Sequence, residues 1–235
     1  LFDAITELDE YYPTRTEAAI MAACQAEMVA ALNQAVGTTA PTLVDLGAGN
    51  CTKAGRLFSV LLPRRYVAVD ISVHFLEQAL QGLQREHPHI EMLGVGMDFS
   101  SRLVLSDEVG EGPRTLFYPG SSIGNFTPEQ ALVFLQQAHA ACAGGQLLIG
   151  VDLVKPDSIL VPAYDDDLGV TAAFNLNLLL HVNTLLGSDF RVADWQHVAL
   201  FNHAQARIEM HVQARARTTV VWPGGERHFE AGERI

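Results

Sequence analysis

Short apolar runs alternate with amphipathic segments along the first two thirds of the chain. Five runs predict buried strands at residues 43–46, 66–69, 91–95, 115–118 and 146–153. Between them, helix patterns cover residues 16–36, 52–62 and 73–85, and a further helix opens at Pro128. Thr16 is a possible cap of the first helix. Strands that alternate with helices predict βαβ units, and therefore a mostly parallel, doubly wound α/β sheet.

The pattern changes after Pro156. Residues 157–168 are polar and acidic, and residues 170–186 read as an apolar helix that contains three asparagines. Two strand patterns follow at residues 197–201 and 207–214. Strict alternation of apolar and polar residues in the second is typical of a half-exposed antiparallel strand. The C-terminal part therefore predicts antiparallel strands at the end of the sheet.

Composition narrows the class of protein. Of 235 residues, 49% are hydrophobic and 18% are charged, which excludes a disordered chain. No apolar run approaches the roughly 18 residues that a membrane span requires. A net charge of −12 disfavours a nucleic-acid binder, because such proteins use Lys and Arg to neutralise phosphates. The same negative charge favours a small or cationic ligand. Three scattered cysteines and nine histidines show no disulfide framework or metal spacing, which favours a reducing cytoplasm and no metal site.

Candidate ligand-binding residues follow the predicted strands, where open α/β sheets bind their ligands. Gly47 and Gly49 follow the first strand, but Thr52 stands where a dinucleotide fingerprint has its third glycine. Asp70 ends the second strand, where a carboxylate accepts hydrogen bonds from a ribose diol. After the third strand, Asp98 suits an adenine amine and Phe99 the adenine ring. Tight turns and helix caps are the alternative interpretation of each motif taken alone.

These strand-end motifs resemble those of class I S-adenosylmethionine-dependent methyltransferases. S-adenosylmethionine carries no phosphate and therefore needs no phosphate-binding loop, and its sulfonium cation suits an acidic site. The resemblance implies a Rossmann-like methyltransferase sheet with a substrate-binding elaboration.

Four further segments carry a narrower resemblance: Tyr11–Glu17, Ser122–Phe126, Gly150–Lys155 and Tyr164–Asn175. Nearly end to end, the chain resembles the L-histidine Nα-methyltransferases of ergothioneine biosynthesis. The resemblance implies three methyl transfers to the α-amino group of histidine, giving hercynine. It implies that S-adenosylmethionine binds to Gly47, Lys53, Asp70, Asp98 and Phe99. It implies that histidine binds to Asn125, Tyr164 and Tyr12, with the adjacent Tyr11 as the alternative to Tyr12.

The resembled family continues into a Glu-Asn-Ser-Tyr motif whose Glu and Ser hold the imidazole. This chain ends at Ile235, before that motif, which we interpret as truncation or disorder. The four predicted parts are an N-terminal helical, substrate-side segment (1–36), a Rossmann-like cofactor-binding core (37–156), a substrate-side insertion (157–195) and C-terminal antiparallel strands that complete the sheet (196–235). A monomer is the default expectation.

Three other functions stay open at this point. The methyl acceptor could be another amino acid or a small amine. A nicotinamide-dependent oxidoreductase shares a related fold, although the missing third glycine argues against it. A non-catalytic S-adenosylmethionine-binding module would show the same strand-end residues without turnover.

Overall fold

The computed structural model describes residues 1–36 and 41–235, and the side chains of all of these except residues 33–36. The chain divides into two compact units, Thr16–Asp152 and Leu1–Arg15 with Leu153–Ile235. This grouping differs from the four predicted parts, because the segments before residue 16 and after residue 152 fall into one unit. The predicted boundary at residue 37 lies outside the described residues.

A five-stranded parallel sheet forms the centre of the unit Thr16–Asp152. Its strands are β1 (Thr42–Leu46), β2 (Arg65–Asp70), β3 (Glu91–Gly96), β4 (Arg114–Tyr118) and β5 (Gln146–Ile149). They lie in the order β3-β2-β1-β4-β5, and each neighbouring pair is parallel. The order reverses between β1 and β4, which is the switch point where open α/β sheets bind ligands. The structure confirms the predicted doubly wound sheet.

The helices of this part of the chain follow the predicted pattern with two corrections. Two helices precede β1, namely α1 (Phe2–Thr6) and α2 (Tyr12–Val36). The helices between the strands are α3 (Thr52–Gly55), α4 (Phe58–Leu61), α5 (Val73–Glu86) and α6 (Pro128–Ala141). Thr16 is not a cap, because α2 already begins at Tyr12. Pro13 is tolerated there, since the first turn of a helix leaves its backbone N–H groups without intrahelical partners. The predicted helix over 52–62 is two short helices, α3 and α4.

The start of α6 was predicted correctly. The Thr127 hydroxyl accepts a hydrogen bond from the Gln130 backbone N–H, and the Gln130 side chain accepts one from the Thr127 N–H. This reciprocal capping box satisfies two backbone donors that the helix itself leaves unpaired. With Pro128 in the first helical position, the sequence specifies this helix end locally.

Buried side chains cover both faces of the parallel sheet. One face carries Leu43 and Tyr66, which pack with Phe58 of α4. The other carries Val44 and Tyr118, and this face packs against α6. Successive residues of a strand point to opposite faces, so a strand buried on both sides reads as one continuous apolar run.

The unit of Leu1–Arg15 and Leu153–Ile235 is built differently. Besides α1, it contains α7 (Asp157–Tyr164), α8 (Val170–Leu186), β6 (Trp195–Asn202), β7 (Arg207–Ala214), β8 (Thr218–Trp222) and β9 (Gly225–Phe229). Trp195 is 1% exposed, and its ring packs edge-on against Phe229 with centroids 4.9 Å apart. Among the described residues, no helix combines the length and the apolar character that crossing a membrane requires.

Strand pairing in this unit differs from the expectation that the C-terminal strands complete the main sheet. β6 pairs with β7 and β8 with β9, both antiparallel, and each pair forms a two-stranded sheet of its own. Alternation of apolar and polar residues identifies a half-buried strand but carries no information about its neighbour. The sequence also missed α7, whose segment looked polar although it buries Leu160 and Ala163.

Candidate functional site

The glycine loop after β1 folds back over the end of β2. The backbone N–H groups of Gly47 and Ala48 both donate to the carbonyl oxygen of Val69, at 2.8 and 3.1 Å. Gly47 has φ +74°, a left-handed conformation in which a side chain would be strained. The loop therefore requires glycine at this position in order to turn so sharply.

Asp70, at the end of β2, fixes the same loop. Its Oδ2 accepts a hydrogen bond from the Gly49 N–H at 3.0 Å, and its Oδ1 accepts one from the Ser72 N–H at 2.9 Å. An ionised carboxylate offers about four acceptor positions, so these two bonds leave capacity for a diol. Asp70 thus has a structural task within the fold and keeps acceptor sites for a ligand.

Phe99 lies against the glycine loop. A Cβ atom placed on Gly47 would lie 3.6 Å from Cζ of Phe99, so the loops after β1 and β3 are in contact. Its neighbour Asp98 is exposed, and its Oδ1 accepts hydrogen bonds from the hydroxyl and the backbone N–H of Ser100. The hydroxyl bond holds the pKa of Asp98 below its ordinary value, so this carboxylate is an acceptor at neutral pH. The structure thus brings Gly47, Asp70 and Phe99 together as predicted residues of one site.

Lys53 is joined to Glu17, a residue to which the sequence analysis gave no role of its own. The Lys53 ammonium lies 2.6 Å from Oε2 of Glu17, and the other carboxylate oxygen accepts from the N–H of Gly120. A Cβ atom on Gly150 would lie 2.5 Å from that second oxygen, so only glycine leaves room for the carboxylate. One side chain of α2 therefore connects the segments that follow β1, β4 and β5.

Asn125 ends a single 3₁₀ turn, Ser122–Asn125, that follows β4. Before this turn, Ser121 has φ +56°, and its hydroxyl accepts a hydrogen bond from the Asp152 N–H at 2.8 Å. Left-handed residues other than glycine are energetically costly, and they cluster where a loop is held in shape for a ligand. Asn125 itself is exposed, so its amide is accessible.

The predicted tyrosines lie in the other unit. The ammonium of Lys155 lies 4.8 Å from the centroid of the Tyr12 ring, within the range of a cation–π contact. The rings of Tyr11 and Tyr164 pack edge-on with centroids 6.0 Å apart. Both Tyr11 and Tyr12 are thus held by contacts within this unit, and the choice between them stays a prediction.

Comparison with known proteins identifies the family. The model of the family described as histidine-specific, S-adenosylmethionine-dependent methyltransferases matches residues 1–235. The chain belongs to this family.

This methyltransferase also resembles three curated proteins. It is 41% identical to the histidine N-alpha-methyltransferase of Mycolicibacterium smegmatis, covering 100% of this chain and 73% of that one. It is 43% identical to the protein of the same name from Mycobacterium tuberculosis, over 94% and 68% of the two chains. It is 28% identical to ergothioneine biosynthesis protein 1 of Schizosaccharomyces pombe, covering 94% of this chain and 30% of the relative.

A buried polar pair lies beneath the glycine loop of the methyltransferase. Asp45 of β1 is 2% exposed, and its Oδ2 accepts a hydrogen bond from the Tyr66 hydroxyl at 2.8 Å. Burial raises the pKa of Asp45 from 3.8 to about 7, although the bond from Tyr66 opposes the rise. Burial also raises the pKa of the Cys51 thiol to about 11, which keeps the thiol protonated and supports a packing role for Cys51 over a nucleophilic one.

The methyltransferase also has a groove at the edge of its sheet. A cavity of about 750 Å³ between α5 and β3 is lined by Val73, Leu80, Met92 and Gly94 among others. None of the predicted site residues lines it. Within residues 1–36 and 41–235, no group of three or more His, Cys, Asp and Glu side chains is arranged to hold a metal ion.

Proposed function

We propose that this chain transfers methyl groups from S-adenosylmethionine to the α-amino nitrogen of L-histidine, in three steps that end at hercynine. The match of the whole chain to the histidine-specific family carries the proposal. The names of the two mycobacterial relatives support the α-amino nitrogen as the acceptor. The name of the Schizosaccharomyces pombe relative supports a place in ergothioneine biosynthesis.

The strand-end loops suit S-adenosylmethionine. Asp70 has acceptor capacity for the ribose hydroxyls, and its position at the end of β2 supports that role. Phe99 offers a ring face to adenine, and the exposed carboxylate of Asp98 accepts from its amine. Gly47 allows the ligand to approach the backbone. Lys53, whose ammonium is held by Glu17, is a further proposed contact to S-adenosylmethionine.

The residues proposed to hold histidine act by positioning it. Asn125, Tyr164 and Tyr12 (or Tyr11) hold the amino-acid end, so that the nitrogen lone pair faces the methyl carbon. S-adenosylmethionine supplies an electrophilic methyl group: the new N–C bond forms as the C–S bond breaks, and the sulfonium becomes a neutral thioether. The amine attacks only in its neutral form, so a proton leaves the nitrogen before each transfer. Orientation and exclusion of water supply the rate enhancement in such a displacement.

Mass spectrometry of the reaction products tests the proposal. L-Histidine incubated with the full-length protein and S-adenosylmethionine should gain one, two and three methyl groups, while the Asp70→Ala variant should give much less product. Other amino acids and small amines, offered in parallel, test the alternative acceptors. Methylation of one of these without methylation of histidine would overturn the assignment of the acceptor.

We further propose a cytoplasmic location. Cys24, Cys51 and Cys142 are all free thiols in the structure, which fits a reducing compartment.

The family match favours methyl transfer over the nicotinamide-dependent oxidoreductase. Calorimetric titrations with S-adenosylmethionine and with a nicotinamide cofactor check this, because only S-adenosylmethionine should bind.

A further inference from the structure

A buried histidine holds the backbone of Tyr164. The His197 side chain is 2% exposed, and its Nε2 lies 2.7 Å from the carbonyl oxygen of Tyr164. Its Nδ1 lies 2.9 Å from Nδ2 of Asn175, which is also buried. The same Nδ2 lies 3.1 Å from the carbonyl oxygen of His211. These contacts form a series of hydrogen bonds that runs from β7 through α8 and β6 to the end of α7.

The two groups at the ends of this series of hydrogen bonds fix the position of the proton on His197. Both ends are backbone carbonyl oxygens, which only accept hydrogen bonds. The Asn175 amide nitrogen must therefore face His211, because the opposite orientation would place two acceptors together. That nitrogen also donates to Nδ1 of His197, so Nδ1 carries no hydrogen. His197 is thus the neutral tautomer with its hydrogen on Nε2, and it donates to the Tyr164 carbonyl.

Other contacts near Tyr164 are consistent with this arrangement. The Asp165 carboxylate lies 3.8 Å from Nε2 of His197, beyond hydrogen-bond distance, so the carbonyl of Tyr164 is the acceptor. Asp166 is buried, and its two oxygens accept from the N–H groups of Val170 and Thr171 at the start of α8. The turn that leads away from Tyr164 is therefore fixed as well.

We propose that His197 is a positioning residue for the histidine substrate, with Asn175 setting its tautomer. By holding the carbonyl of Tyr164, His197 fixes the end of α7 and with it the direction of the Tyr164 side chain. This inference rests on the proposed function, in which Tyr164 holds the amino-acid end of histidine. A buried histidine between two elements is often only packed. The matched hydrogen bonds at both ring nitrogens are what a positioning role requires.

Two substitutions of His197 distinguish the hydrogen bond made by Nε2 from the one made by Nδ1. In His197→Gln, the amide nitrogen takes the place of Nε2 and can still donate to the Tyr164 carbonyl. In His197→Asn, the shorter side chain reaches only the place of Nδ1, so the bond to Tyr164 is lost. We expect the KM for histidine to rise about tenfold in the Asn variant, the scale of one buried hydrogen bond, and to stay closer to wild type in the Gln variant.

Further measurements distinguish positioning from a general loss of structure. The affinity for S-adenosylmethionine should stay unchanged in both variants, because its proposed contacts all lie between Gly47 and Phe99. His228→Asn is the matched control, since the side chain of His228 is 61% exposed and its hydrogen-bond and ion-pair contacts lie within the β8–β9 pair. A wild-type KM in His197→Asn, or an equal rise of KM in both His197 variants, would overturn the proposal.

Nitrogen-15 NMR of the wild-type protein gives a test that needs no variant to fold. The His197 ring should show a protonated Nε2 and an unprotonated Nδ1, and a hydrogen on Nδ1 would overturn the proposal. Failure of the proposed function has a different signature. The wild-type protein would then bind S-adenosylmethionine and methylate no histidine at all.

Discussion

Asp70 combines a structural and a proposed binding task, so its substitutions need care. Asp70→Ala should weaken the binding of S-adenosylmethionine by roughly 1.5–3 kcal/mol, the scale of hydrogen bonds to a charged group. Isothermal calorimetry measures this change, and Asp107→Ala, a change to an exposed carboxylate elsewhere in the same unit, is the control. Unchanged affinity in a folded Asp70→Ala protein would remove Asp70 from the ribose-binding role.

Substitution of Asn125 should weaken the binding of histidine and not that of S-adenosylmethionine. Asn125→Ala is expected to raise the KM for histidine about tenfold and to leave the affinity for S-adenosylmethionine nearly unchanged, because one polar contact to histidine is lost. Steady-state kinetics and calorimetry measure the two quantities. The control is Asn177→Ala, since Asn177 is an exposed asparagine of α8. Equal losses for both substrates would instead mark Asn125 as a structural residue of its loop.

The buried carboxyl group of Asp45 predicts a pH dependence of stability. Burial raises its pKa from 3.8 to about 7, so between these pH values the folded protein binds a proton that the unfolded chain has released. The free energy of unfolding therefore falls as pH rises from about 4 to about 7, by on the order of 4 kcal/mol from this group, and levels off above.

Urea denaturation at pH 5 and pH 8 checks this sign for Asp45. Asp45→Asn keeps the shape and an acceptor for the Tyr66 hydroxyl but does not titrate, so its stability should change less between the two pH values. Comparison of the two proteins cancels the contribution of other titrating groups. An equal pH dependence in both would show that Asp45 is ionised in the folded protein throughout this range.

Between elements, the Glu17 carboxylate is the contact that joins α2 to several strand-end loops. Glu17→Ala should lower the free energy of unfolding by about 1–3 kcal/mol, because the N–H of Gly120 and the Lys53 ammonium lose their partner. Gly150→Ala should also destabilise the protein, since the new methyl group displaces the same carboxylate.

The double variant tests whether these two effects share one cause. In the Glu17→Ala background, Gly150→Ala should cost less by about 1 kcal/mol or more, as expected for residues in contact. Gly82→Ala is the control, because a Cβ atom on Gly82 meets nothing within 4 Å. Additive effects in urea denaturation would mean that the methyl group on Gly150 disturbs something other than Glu17.

Local signals made several elements predictable. Thr127 and Pro128 specify the start of α6 without any distant partner, and α8 has the predicted bounds. The strand ends could also be predicted as neighbours, because parallel strands bring Gly47, Asp70 and Phe99 to one edge of the sheet. The sequence could not predict that β6 pairs only with β7, because the alternation of apolar and polar residues does not identify the neighbouring strand.

Contacts between distant residues were beyond the reach of the sequence. Glu17 accepts from Gly120, 103 positions away, and His197 donates to Tyr164, 33 positions away. Neither of these separations corresponds to a helix, strand or turn spacing, so no local sequence pattern could predict that the two residues are in contact. Asn175 looked like a packed or capped helix residue for the same reason, although its amide joins His197 to β7.

On the scale of the whole molecule, the proposed contacts to S-adenosylmethionine all belong to the unit Thr16–Asp152. A ligand that binds only the folded state stabilises it by about 2.7 kcal/mol at a hundred times its dissociation constant. S-adenosylmethionine at that concentration should therefore raise the midpoint of thermal unfolding, as followed by far-ultraviolet circular dichroism. The Asp70→Ala protein at the same concentration should show a smaller rise, and an equal rise would place the ligand elsewhere.

Both tryptophans, Trp195 and Trp222, belong to the unit of Leu1–Arg15 and Leu153–Ile235. Trp195 is shielded from water against Phe229, so its emission should be blue-shifted while that unit is folded and should move to longer wavelength when the unit opens. The parallel sheet contains no tryptophan and contributes no such signal. Intrinsic tryptophan fluorescence therefore reports the unfolding of one unit of the enzyme without any label, and the other unit contributes no tryptophan emission.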